Sequence, residues 1–76
     1  MEKIYIVNFH DDGPVAAYLS KEQAKRELWQ VYMTDWAPAF NEADKDDIIA
    51  EDKKTLDEWD YIDDIGWITE IPLITE

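Results

Sequence analysis

A single histidine and no cysteine leave this chain few routes to nucleophilic catalysis. His10 could act as a base only beside a positioned partner, and the adjacent Asp11 points the other way along a strand or sits in a turn. His10-Asp11 also matches the paired ligands of metal-dependent phosphohydrolases, but the further histidines of such a centre are missing. Calcium would want oxygen ligands, and Asp44-Lys45-Asp46-Asp47 starts like an EF-hand loop. The sixth loop position is then Ile49 where glycine is needed, and the twelfth is Thr55 where a bidentate glutamate is needed. Asp60 to Gly66 fails in the same way. Two glycines, Gly13 and Gly66, cannot build a phosphate-cradling loop. A glycosidase-like carboxylate pair could be drawn between almost any two acids, so it carries no information. We therefore expect no enzyme, no catalytic residue, no metal and no cofactor, with His10 a turn residue.

What remains is the placement of charge. Eleven of the nineteen acidic residues lie between Glu42 and Asp64, beside Lys45, Lys53 and Lys54, which gives −11 + 3 = −8 for that stretch. Residues 1–30 carry five acidic and four basic side chains, or −5 + 4 = −1. A net charge of −12 disfavours direct binding to nucleic acid or to an anionic bilayer, since both share its sign. Exposed carboxylates about 6 Å apart repel by roughly 0.7 kcal/mol per pair in water. Ile48, Ile49, Leu56, Trp59, Tyr61, Ile62, Ile65 and Trp67 interleave the acids, which is too apolar for a disordered tail. A folded surface of fixed carboxylates is expected.

The elements that must hold those carboxylates can be read from periodicity. Lys3 to Phe9 is a strand, with Ile4, Ile6 and Asn8 on one face and Tyr5, Val7 and Phe9 on the other; being apolar on both, it should be central. His10-Asp11-Asp12-Gly13-Pro14 is turn chemistry, and Val15 to Leu19 returns antiparallel. Ser20-Lys21-Glu22-Gln23 is a capping box opening a helix that should end near Thr34 to Trp36, ahead of Pro38. Ala37 to Phe40 reads as a connector. Two helical pieces or one bent helix should lie between Asn41 and Tyr61, with Thr55-Leu56-Asp57-Glu58 as a second capping box and Gly66 as the breaker. Trp67 to Ile74 closes as a strand, with Pro72 marking an edge or bulge. The order is β-β-α-α-β: one α+β domain over residues 1–76, a three-stranded antiparallel sheet with helices packed on one face. At least three of the four tryptophans should be core.

Were residues 42–64 one straight helix, they would span about 35 Å, close to one duplex turn of about 34 Å. An Arg- and Lys-lined nucleic-acid channel would bind such a surface. Asp44, Asp46, Asp47, Glu51, Asp52, Asp57, Glu58, Asp60, Asp63 and Asp64 are the candidate partner-binding set, and any protruding tryptophan among Trp29, Trp36 and Trp59 would anchor it. The partner would be a basic nucleic-acid-binding protein. The opening strand Ile4-Tyr5-Ile6-Val7, the helix start Ser20-Lys21-Glu22-Gln23-Ala24 and the closing Glu70-Ile71-Pro72-Leu73 resemble the small acidic proteins of bacteriophages and prophages. That resemblance implies a DNA-mimic inhibitor of restriction, CRISPR or repair enzymes. The second expectation is a protein–protein adaptor or homodimer that uses exposed aromatics, the acids serving solubility. Lys3 is the only basic residue before the first apolar run, which is wrong for a signal peptide, and no segment approaches the roughly 20 apolar residues of a membrane helix. A cytoplasmic location is expected.

Overall fold

The computed structural model describes residues 3–72. In chain order it contains β1 (Lys3–Phe9), β2 (Gly13–Tyr18), α1 (Lys21–Val31), a π-helical turn (Tyr32–Trp36), a 3-10 turn (Ala37–Ala39), α2 (Lys45–Trp59), β3 (Tyr61–Ile62) and β4 (Gly66–Pro72). The fold is α+β, as expected, but the sheet has four antiparallel strands in the order β2-β1-β4-β3. The three-stranded sheet and the β-β-α-α-β order are thereby corrected. The missed strand is β3, which begins at Tyr61, the expected end of the second helical region.

The helix boundary explains that miss. Asp60 ends α2 in the left-handed conformation at φ 61°, and its N–H donates to the Leu56 carbonyl. Aspartate tolerates this geometry better than most residues, so it takes the place usually held by glycine. The chain is then free to pair Tyr61 with Trp67 and Ile62 with Gly66. Gly66, expected to break a helix, instead begins β4 at a tight crossing. A Cβ there would collide with the Asn8 carbonyl oxygen and lie 3.1 Å from Leu28 Cδ1. The region between Asn41 and Tyr61 holds one helix, not two. Asn41 forms an Asx turn before it, accepting from the Ala43 N–H at 3.1 Å. Thr55 donates to the Glu51 carbonyl inside the helix and caps nothing.

The first half follows its sequence signals closely. β1 is central, between β2 and β4. Ser20 caps α1, accepting from the Gln23 N–H at 3.4 Å. The connector before Phe40 is the 3-10 turn that carries Pro38. Pro72 falls on β4 beyond the two positions where β3 pairs with it, on an edge among the described residues. The expected strand end at Ile74 lies outside the described residues.

Strand alternation sorts the sheet into two faces. Tyr5, Val7, Phe9, Ile62 and Ile68 point to the helices and pack with Ala24, Leu28, Tyr32, Ala37, Leu56 and Ile65. Ile4, Ile6, Asn8, Tyr61, Trp67, Thr69 and Ile71 lie on the opposite face, which no helix of the described residues covers. Tryptophan placement departs from expectation. Trp29 and Trp36 pack on the core, but Trp67 is 39% exposed and Trp59 69% exposed. No helix of the described residues is long and apolar enough to cross a membrane.

Candidate partner-binding surface

Helix α2 carries most of the candidate residues, and its packing decides which of them face outward. Leu56 is fully buried and Ile49 is packed against the core, so the opposite side of a 3.6-residue helix presents Asp44, Asp47, Glu51 and Glu58 in a row. Asp44 is the N-cap residue, and Asp46 and Asp47 occupy the first turn, where the helix dipole favours negative charge. Asp44, Asp47 and Glu51 border a shallow depression of about 450 Å³ with Ile48 and Asp52. Lys54 interrupts the row between Glu51 and Glu58.

Three candidates are engaged within the protein. Asp52 accepts a hydrogen bond from the hydroxyl of Tyr32, a side chain fully removed from solvent. Burial, followed by the hydrogen bond to Asp52 and that residue's charge, pushes the Tyr32 phenol above its ordinary pKa. Asp60 is bridged by Lys21 at 3.1 Å and Lys25 at 3.0 Å, which lie on α1. Partial burial opposes the Asp60 charge, yet the bonds and charges of Lys25 and Lys21 outweigh it and hold the carboxyl below its usual value. The hydrogen bond to Asp60 and its charge raise Lys21 in turn. Asp57 is paired more loosely, with Lys53 at 3.2 Å along the exposed helix surface. That arrangement contributes only a few tenths of a kcal/mol.

Asp63 and Asp64 belong to a different part of the surface. They form the exposed β3–β4 turn, with Asp64 at φ 63°. The His10 N–H donates to the Ile65 carbonyl at 3.0 Å, which sets this turn beside the β1–β2 turn. Asp11 and Asp12 stand there, and together with Asp35 they rim a cleft of about 400 Å³ floored by Phe9, Val31, Trp36 and Ile65. The ten candidates are thus not one contiguous array. They divide into the α2 row Asp44, Asp47, Glu51 and Glu58, the two internal clamps Asp52 and Asp60, Asp57 paired with Lys53, Asp46 in the first turn of α2, and Asp63 and Asp64 at the turn end of the sheet. The sequence reading left out Asp11 and Asp12, because only the sheet register sets the β1–β2 turn beside the β3–β4 turn, and Asp35, which reaches the same cleft from the turn after α1. The His10 ring stacks edge-on against Trp67 at 5.2 Å, with no carboxylate bonded to it among the described contacts.

Among the described residues no group of three or more His, Asp or Glu side chains is arranged to hold a metal ion. The chain matches no family model, no curated protein and no solved structure.

Proposed function

We propose that this protein is a non-enzymatic inhibitor whose acidic surface takes the place of nucleic acid in the basic binding site of a partner, of the kind presented by restriction or CRISPR enzymes. The observation that carries the reading is the outward row Asp44, Asp47, Glu51 and Glu58, held on a helix whose inner side is fixed by buried Leu56. From Asp44 to Glu58 the row spans about 21 Å at 1.5 Å per residue. One DNA strand carries a charge per about 3.4 Å, so about six phosphates cover that length against four carboxylates. With Lys54 standing in it, the row carries −4 + 1 = −3, roughly half of a strand's charge over that length, on a rigid support. Bidentate arginine–carboxylate contacts would give it geometric selectivity as well as attraction.

The test is competitive capture from a bacterial lysate on the immobilised protein. Captured proteins should be released by duplex DNA and by moderate salt, and they should not bind a variant carrying Asp47→Lys, Glu51→Lys and Glu58→Lys. That variant leaves Asp52 and Asp60 in place and so should keep its fold. Binding that survives both the DNA competitor and the triple reversal overturns the proposal.

A further inference from the structure

The cleft at the turn end of the sheet joins an aromatic floor to an acidic rim, and the proposed function uses neither. It measures about 400 Å³, at the lower end of the range for ligand pockets. Its charged lining is Asp11, Asp12 and Asp35, and no Lys or Arg borders it. None of the three forms an ion pair among the described residues. Beneath them Phe9 closes β1 and Trp36 closes the π-helical turn, both half-buried. That turn delivers Asp35 and Trp36 together. The Ala37 N–H donates to the Tyr32 carbonyl five residues back, so the turn is wider than an α-helical one. Its extra residue carries Asp35 and Trp36 to the cleft beside Val31, while Tyr32 stays fully buried.

The spread of the carboxylates selects the kind of cation. A metal ion needs its oxygen ligands around a single point, and among the described residues no three acids converge in that way. A rim drawn out along a cleft suits a cation whose charge is drawn out as well, and an aromatic floor suits one with a flat face. Guanidinium has both properties: it is planar, delocalised and weakly hydrated, with a fork of donors that meets carboxylates bidentately. The fold already places cations on its rings. Lys53 sits over Trp29 at 5.3 Å and Lys21 over Tyr5 at 6.0 Å, whereas Phe9 and Trp36 take no cation from the described residues. We propose that this cleft receives an arginine side chain presented by a protein partner, with the guanidinium stacked on the aromatic floor and its donors turned to the rim. Charge alone would send an arginine to the acidic row of α2 instead, where the depression holds Ile48 and no aromatic ring. The cleft goes beyond the inhibitor reading, which rests on that row, and either one can fail and leave the other standing.

The probe is N-acetyl-arginine amide, titrated into the isotopically labelled full chain at about 150 mM salt, where attraction beyond about 8 Å is screened. Amide and indole shifts in NMR spectra should centre on Val15, Asp35 and Trp36 and saturate in the millimolar range. N-acetyl-lysine amide, of equal charge but without the planar fork, should bind about fivefold more weakly. N-acetyl-citrulline amide, which keeps the planar shape and loses the charge, should bind about tenfold more weakly. These titrations need no variant to fold. Asp12→Asn with Asp35→Asn, both at exposed positions and with turn chemistry kept at residue 12, should weaken arginine binding about tenfold. Glu22→Gln with Glu42→Gln removes two charges elsewhere on the surface and should change it by less than about twofold. Shifts centred on Asp44 to Glu51, or no localised shift up to about 50 mM probe, overturn the proposal. Lysine or citrulline amide binding as tightly as arginine amide, or equal weakening by the two double variants, overturns it as well.

Discussion

The Tyr32 hydroxyl, closed off beneath the stacked ring of Trp29 and the edge of Phe40, donates to the Asp52 carboxylate and so ties the turn after α1 to the middle of α2. The two ends of this bond are not equivalent. Tyr32 is fully buried and Asp52 only partly so, which means that losing the acceptor strands a donor while losing the donor exposes a carboxylate that water can reach. Asp52→Ala should therefore cost about 1–3 kcal/mol and Tyr32→Phe about 1 kcal/mol. Urea unfolding at constant m-value measures both, and the double variant should be less destabilised than the sum. Additive losses would mean that the bond contributes nothing of its own.

Asp60 joins the end of α2 to Lys21 and Lys25, and its carboxyl is held below the ordinary value. A depressed folded-state pKa contributes stability that is present above the unfolded value of about 3.9 and lost as pH falls through the folded one. Lys21 and Tyr32 are raised, so their contributions are present below about pH 10 and lost as pH climbs. Stability should peak between these limits. Asp60→Asn, which keeps the left-handed geometry accessible, should flatten the acid limb, and Tyr32→Phe should flatten the alkaline one. Thermal melts between about pH 3 and 11 resolve the two limbs.

The two glycines should respond differently to a methyl group. At Gly66 the new Cβ would meet backbone, the Asn8 carbonyl, which cannot move without breaking the β1–β4 pairing. Gly66→Ala should cost more than about 2 kcal/mol, as core overpacking does. Gly13 has open space around it but a φ of +72°, so Gly13→Ala should cost about 1 kcal/mol through backbone strain alone. Equal losses would show that the close crossing at Gly66 relaxes freely.

Local chemistry was legible in the sequence; tertiary partnership was not. Ser20 and Gln23 marked the start of α1 because a cap is decided within four residues, and Ile4 to Phe9 declared a central strand because alternation alone sorts its faces. β3 went unseen because two residues carry no periodicity and because an aspartate, Asp60, ends the helix where a glycine was awaited at Gly66. The acidic candidates were legible as a group but not by role. Nothing local distinguishes Asp52 and Asp60, which face Tyr32, Lys21 and Lys25 across the fold, from Asp47 and Glu51, which face outward. The turn-end cluster was hidden for a similar reason: the β1–β2 and β3–β4 turns are set side by side only by the register of β1 on β4 and the His10–Ile65 bond.

Trp59 offers a probe of the field around α2. Its ring is 69% exposed, at the C-terminal end of the helix that bears the acidic row. Among the tryptophans it is the most open to a collisional quencher, since Trp29 and Trp36 pack on the core and Trp67 is 39% exposed. Neutral acrylamide should quench a red-shifted component that disappears in Trp59→Phe, while folding stability changes by less than about 0.5 kcal/mol because the side chain buries little. Charged quenchers should then separate by sign. At low ionic strength caesium should be drawn to the negative surface and iodide excluded, giving caesium a higher apparent efficiency relative to small-molecule controls; raising salt to about 0.5 M should collapse the difference by screening. Glu58→Lys, one residue away on the same helix, should narrow the gap at low salt. Equal quenching by the two ions at low salt would mean that the carboxylates around this ring are already neutralised, leaving no negative surface here for a basic partner to meet.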